Sequence, residues 1–532
     1  MRRLLRVLLL LPVLLVAFVA VRARLDARDP YPNVDIDPGV VPTFSEVELP
    51  FVHEHDADES LPFMGSAVID VDGDGTEEVF LGGGYRQQDG LFAFREGRFV
   101  DISADSGLTK ADRDTTFGAA VVDATGDGLS DLFVARDSGV YLYTNEGGRF
   151  RGRNLDIALN SKTAPLSLAP VDLEQDGDVD LFIPGYIKWH QVEGQNIFNR
   201  PEYGGTSVLV RNEGGNRFRD VTRESGLEYL HNTFQGVFVD VDEDRDADLV
   251  VAHDTGQVRT WKNLGDGRFE NTANPNSDQY SYPMGIAVGD YDNDGRVDFF
   301  FSNVGTTPPS FLVKGDLRDD QDFNPRWLLL RNQGDFEFSD AADETALADF
   351  EFSWGAVFED FNLDGLEDLV VAENYIGFPP HRFIRLPGRF LVQREDHRFA
   401  SAEDVAGLVN EHYAITPLVA DFNDDGYPDL VWVNLDGPAR AFLNDGGDGH
   451  YLKVKLPDDP HSLGAVVRVT TGDGQTLTRH FVSNEGLLSD QSHVLFFGLG
   501  DAESVTRVDV GFLSGEKWTI ENPKINSTLR VR

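Results

Sequence analysis

One nine-residue pattern occurs seven times in this chain, and that recurrence leaves few folds open. It reads "DVDGDGTEE" from Asp70, "DATGDGLSD" from Asp123, "DLEQDGDVD" from Asp172 and "DVDEDRDAD" from Asp240. It returns as "DYDNDGRVD" from Asp290, "DFNLDGLED" from Asp360 and "DFNDDGYPD" from Asp421. Successive starts lie from 49 residues apart (Asp123 to Asp172) to 70 apart (Asp290 to Asp360). Periods of this size mark arrays of supersecondary units that bury their apolar faces on one another. Before each copy stands a short apolar run, often opened by a small residue, as in "FGAAVVD", "MGIAVGD" and "WGAVFED". After it comes a second run rich in β-branched and aromatic residues, such as "LFVAR", "FFFSN" and "LVVAEN". Runs this short and of this composition predict strands. Most copies add a third run ending in Asn and a glycine turn ("VYLYTNEGG", "WLLLRNQGD"), and often a fourth ("RFRDVTRESGL"). Four strands per unit and seven units predict an all-β, seven-bladed β-propeller. The unpartnered segment Phe44–His55, "FSEVELPFVHEH", is expected to supply the missing strand of the last blade and close the ring.

The chemistry of the pattern points to calcium, which takes six to eight oxygen ligands at roughly 2.3–2.6 Å in flexible geometry. Positions 1, 3, 5 and 9 carry side-chain oxygens, and position 6 is a glycine where the turn reverses. The ligand sets are Asp70, Asp72, Asp74 and Glu78; Asp123, Thr125, Asp127 and Asp131; Asp172, Glu174, Asp176 and Asp180; and Asp240, Asp242, Asp244 and Asp248. They continue as Asp290, Asp292, Asp294 and Asp298; Asp360, Asn362, Asp364 and Asp368; and Asp421, Asn423, Asp425 and Asp429. Like charges packed this closely repel unless a cation joins them, so the expectation is Ca2+ at up to seven sites. Two copies depart from the pattern: Thr125 stands at position 3 of the second, and Arg245 replaces glycine in the fourth. An EF-hand is excluded, because position 12 is apolar throughout (Leu81, Val134, Ile183, Val251, Phe301, Val371, Trp432) and the flanks read as strands.

With 91 acidic and 46 basic residues the net charge is −45, which argues against nucleic acid and against electrostatic docking on anionic lipid. The absence of cysteine excludes disulfides, thiolate metal sites and cysteine nucleophiles. Residues 1–26 place Arg2, Arg3 and Arg6 before the apolar run Val7–Val21, in the manner of an export signal, either cleaved or kept as a membrane anchor. Export is therefore expected, to a periplasmic, cell-surface or secreted location, with 27–43 as a linker.

The repeats resemble the FG-GAP, or VCBS, repeats of integrin α-subunit propellers and many bacterial surface proteins. That resemblance implies seven blades with calcium in the hairpins joining each first and second strand, over residues 44–449. The stretch "SLGAVVRVTTGDGQTLTRHFVSNEGLLSDQSHVLFFGLGDAESVTRVDVGFLSGEKWTI" resembles the ASPIC/UnbV domain, expected over 450–532, although Phe512-Leu513 stands where that family has Trp-Pro. Its strand pattern independently suggests a small β-sandwich or barrel. The two together are the organisation of the cartilage acidic protein family and its bacterial relatives.

In such a ring the hairpins lie on one face, and the second-to-third-strand connections emerge on the other. Long insertions there carry Tyr186, Trp189, Tyr203, Phe311, Phe378 and Phe383, which suit either partner binding or closure of the channel mouth. A basic stretch, "HRFIRLPGRF", suits either an anion or the surrounding acids. His53 and His55 are expected to face solvent on the closing strand. No HExxH, G-x-S-x-G or P-loop occurs, and no catalytic residue stands out. The sequence supports a non-catalytic binding or adhesion module for an extracytoplasmic protein or glycan. The alternatives are an enzyme on the face opposite the hairpins and a structural subunit of an envelope assembly.

Overall fold

Short apolar runs form the strands, and in the computed structural model these gather into seven antiparallel four-stranded blades around an axis, one of them extended by a fifth, parallel strand. Residues 34–191, 204–305, 317, 321–375 and 385–531 are described. The expected export signal at residues 1–26, and Tyr203, Phe311, Phe378 and Phe383, lie outside them. Blade 2 illustrates the unit: Thr116–Val122, Asp131–Arg136, Gly139–Asn145 and Phe150–Asn154 follow one another as a meander. Its first strand is buried along its whole length, while its fourth keeps only Phe150 out of water. Burial on both faces explains why the first two runs of each repeat are apolar throughout instead of alternating.

The glycine that opens several inner strands answers a crowding problem at the axis. A Cβ on Gly65 would lie 2.7 Å from Gly118 Cα in the next blade, and one on Gly118 would lie 2.4 Å from the Leu166 carbonyl of the blade after. Blade 7 consists of Ala414–Ala420, Asp429–Asn434 and Arg440–Asn444, completed by Phe44–Val47 from the other end of the chain. That strand pairs antiparallel with Arg440–Asn444, from Phe44 opposite Asn444 to Val47 opposite Ala441. Arg440 grips Glu46 with two nitrogens, at 2.7 and 2.9 Å.

After blade 7 the chain forms a β-sandwich. One sheet places His450–Lys455 between Val494–Gly500 and Thr528–Arg530. The other orders Thr476–His480, Val466–Thr471, Val505–Gly511 and Lys517–Glu521. Its core, including Leu452, Val467, Leu477, Phe497 and Val508, is continuous with apolar residues of blades 2 and 3 such as Val122, Phe133 and Leu181. The sandwich is thus fused to the ring, on the hairpin face.

Between its strands the sandwich sends the segment 483–491 into the central channel. Ser489–Asp490 adds to blade 1 as a parallel fifth strand beside Ser66–Ala67. The Asp490 carboxylate accepts the Val121 N–H of blade 2 at 2.6 Å. Asn484 donates to the Gly236 carbonyl of blade 4, and Gly486 exchanges two backbone bonds with Ile286 of blade 5. Gln491 accepts the Val419 N–H of blade 7. Leu487 and Leu488 meet Phe63, Met64, Phe117, Phe234, Tyr282 and Trp354 in one apolar cluster that fills the axis. Nothing in the polar sequence "SNEGLLSDQ" announces this plug.

Candidate functional site: the acidic hairpin face

All seven hairpins share one backbone geometry, and it explains the acids before any ligand is considered. The position-1 aspartate accepts the N–H of position 6 in every copy: Gly75 to Asp70, Gly128 to Asp123, Gly177 to Asp172, Arg245 to Asp240, Gly295 to Asp290, Gly365 to Asp360 and Gly426 to Asp421, at 2.7–3.0 Å. The position-5 aspartate likewise accepts the N–H of position 7, from Thr76 to Asp74 through Tyr427 to Asp425. Positions 4 and 6 are left-handed throughout, so Gln175, Glu243, Asn293, Leu363 and Asp424 hold positive φ, as does Arg245 at 77°.

The position-9 carboxylate clamps the hairpin to its blade. In blade 2, Asp131 accepts the Ala124 N–H at 3.0 Å and the Asn145 N–H of the third strand at 2.7 Å. Asp180, Asp248, Asp368 and Asp429 do the same in blades 3, 4, 6 and 7. The third-strand Asn, whose recurrence is visible in the sequence but whose role is not, staples blade to blade. Asn145 Nδ2 donates to the Val71 carbonyl in the blade 1 hairpin, and Asn332, Gln393 and Asn444 reach Val241, Tyr291 and Phe361 in the same way.

Three hairpins gather carboxylate oxygens within 4.8 Å of one another: Asp70, Asp72 and Asp74; Asp240, Asp242 and Asp248; and Asp290, Asp292 and Asp294. That is the span of two oxygens on opposite sides of a calcium ion. Asp70 Oδ1, Asp242 Oδ1 and Asp290 Oδ1 are buried and have no hydrogen-bond partner. Only hard oxygen donors are present, so the residues fit calcium or magnesium. Hairpins 2, 3, 6 and 7, with Thr125, Glu174, Asn362 and Asn423 at position 3, form no such group. Burial, with repulsion from neighbouring acids, pushes Glu78 and Asp240 up to about 7 and Asp248 up to about 8. Carboxyl groups so placed favour a bound proton or a bound cation over bare charge.

The sandwich adds cations of its own to this face. Lys455 Nζ lies 3.2 Å from Asp70, and Lys453 lies 2.7 Å from both Asp421 and Asp424. Arg479 pairs with Glu367 at 3.1 Å. Backbone contacts seat it: Asp123 donates to the Asp458 carbonyl at 2.6 Å, and Gly500 donates to the Leu363 carbonyl at 2.8 Å.

On the opposite face the described insertion residues pack inward. Tyr186 is buried among Phe63 and Phe234 and donates to Asp254. His53, expected on the surface, is buried: the closing strand ends at Val47, and the chain then turns His53 under the Asp436 N–H, where burial lowers it to about 3. Arg389, from the basic stretch, bridges buried Glu373 and Glu403.

Residues 70–134, 123–183 and 240–301 match the family described as FG-GAP-like repeat, and residues 457–532 match that described as ASPIC and UnbV. The first set of matches falls within the blades of the propeller, and the second within the C-terminal sandwich. It is similar to Cartilage acidic protein 1 of Homo sapiens, 26% identical over 518 residues that cover 90% of this chain and 73% of that one. The Mus musculus protein of that name is 26% identical over 449 residues, 79% of this chain and 63% of its own length. Among solved structures, an Agrocybe aegerita lectin that recognises non-reducing terminal N-acetylglucosamine aligns over 72% of this chain and 94% of its own, at 17% identity and a TM-score of 0.39. A rhamnogalacturonan lyase of Bacillus licheniformis aligns over 76% of each, at 13% identity and 0.40.

Proposed function

We propose that this chain is an exported, calcium-binding propeller that acts as a non-catalytic binding or adhesion module for a protein or glycan partner. The observation that carries the reading is the seating of the sandwich: it rests on the hairpin face and its segment 483–491 fills the channel, so an axial active site has no room among the described residues. Binding then falls to the face opposite the hairpins. Calcium would be held above all by Asp70, Asp72 and Asp74 in blade 1, by Asp240, Asp242 and Asp248 in blade 4, and by Asp290, Asp292 and Asp294 in blade 5. Its part is structural, replacing mutual repulsion of the acids with attraction.

A melting curve with calcium titrated from chelator to millimolar levels tests the metal. At 10 mM, a site with a dissociation constant of about 10⁻⁴–10⁻³ M adds roughly 1.4–2.7 kcal/mol. A melting temperature that does not move over that range refutes calcium binding. Screening the full chain against glycan arrays and extracytoplasmic protein extract tests the binding role, and a hydrolase or lyase activity in the same preparation would overturn it.

A further inference from the structure

The residue just before the third-strand Asn or Gln faces position 9 in six blades, by the register of the second and third strands. It is Thr144 in blade 2, Arg211 in blade 3, Lys262 in blade 4, Arg331 in blade 5, Val392 in blade 6 and Leu443 in blade 7. The basic residues occur only in the blades whose position 3 is an acid. Arg211 lies 3.2 Å from Glu174, Lys262 contacts Asp242 and Asp244, and Arg331 lies 2.6 Å from Asp292. Blades 2, 6 and 7, with Thr125, Asn362 and Asn423 at position 3, have an uncharged residue in the facing place.

We propose that Lys262 and Arg331 set the divalent-cation affinity of hairpins 4 and 5, each holding the position-3 carboxylate in competition with the metal. The inference rests on the calcium reading above. A fourth acid raises the attraction for a divalent ion, and the tethered base offsets it, leaving the net charge of a three-acid hairpin. In blade 4 the competition is visible within one side chain: Asp242 gives one oxygen to Lys262 while the other is buried without a partner. A single positive charge beside a double one is unfavourable at any distance a hairpin allows, and the penalty falls with salt.

The test is calcium titration of the full chain by calorimetry, at low and high salt, for wild type, Lys262→Met, Lys262→Arg, Arg331→Met and Thr144→Lys. Melting in chelator, with circular dichroism, confirms that each variant is folded. Removing the charge in blade 4 or 5 is expected to tighten one class of sites by about tenfold at low salt, with the gain shrinking at high salt. Lys262→Arg should behave as wild type, and Thr144→Lys should weaken binding. Unchanged or looser binding in both Met variants overturns the inference while leaving the calcium reading intact. A wild type that takes up no calcium overturns both, and is recognised by the absence of heat in every variant.

Discussion

Replacing Asp490 with alanine removes the anchor of the channel plug. Its carboxylate accepts three donors: the Val121 N–H at 2.6 Å, the Asn484 N–H at 3.0 Å and the Ser483 hydroxyl at 2.8 Å. It is buried completely, so no water replaces the lost acceptor. Each buried donor left unpaired costs about 1–3 kcal/mol. Val121 belongs to the rigid inner strand of blade 2 and cannot turn elsewhere, whereas Ser483 can rotate its hydroxyl. Counting Val121 and Asn484 fully gives a loss of about 2–6 kcal/mol, against a net stability of about 5–15 kcal/mol for a typical domain. Urea denaturation followed by circular dichroism, with limited proteolysis of the sandwich under native conditions, measures it. Leu488→Ala, which shortens an apolar side chain of the same segment, is the reference for a simple cavity at about 2–5 kcal/mol. A loss below about 1 kcal/mol for Asp490→Ala, with proteolysis unchanged, would refute the plug as an energetic link between sandwich and ring.

The remaining predictions concern single residues. Burial alone would lower His493, but its hydrogen bond to Asp458 and the attraction of the Asp458 and Asp490 carboxylates outweigh that and raise it to about 10. A raised histidine stabilises fully below its unfolded value of about 6.5, and its contribution is lost as pH climbs towards 10. Melting temperature should therefore fall between pH 7 and 10, and His493→Gln, measured beside wild type, should flatten that slope. Arg245 holds a left-handed backbone at position 6, where the six other hairpins have glycine. Arg245→Gly relieves a strain of about 1–2 kcal/mol at some entropic cost, and should raise the urea midpoint; a lowered one would show that the side chain is needed.

Fold class is legible in this chain because the repeat carries its own local instructions. Apolar runs of strand length, a turn of fixed chemistry and an Asn-Gly punctuation recur in register, so each blade can be read without the others. The glycine that opens "FGAAVVD" is visible too, although its cause, the approach of Gly118 to its neighbours at the axis, is not. What escapes the sequence is long-range polar chemistry. Asp490 reads as one more acid in an acidic protein, since its partner Val121 is 369 residues away. Asn145 and Asn444 read as turn formers, yet their amides join separate blades. The hairpin acids were identifiable as a set, but positions 1, 5 and 9 first serve backbone amides, and composition does not separate that role from metal binding. His53 belongs with these, since its partner, the Asp436 N–H, is 383 residues away; Arg389 is held within its own blade, by Glu373 and Glu403, acids that the basic stretch does not reveal.

The channel plug also bears on time. Blade 7 awaits a strand some 400 residues away, and blade 1 receives its fifth strand from the sandwich. Contacts of such range are slow to form, because long loops must close before any bond rewards the closure. Conversely, the ring cannot open at the blade 7 seam without losing the closing strand, or at the axis without withdrawing a segment bonded to blade after blade. Slow folding and slower unfolding are the expected outcome, so the lifetime of the folded molecule is set by its unfolding barrier as much as by its equilibrium stability. For a chain without a disulfide, that barrier is the lasting protection against proteases.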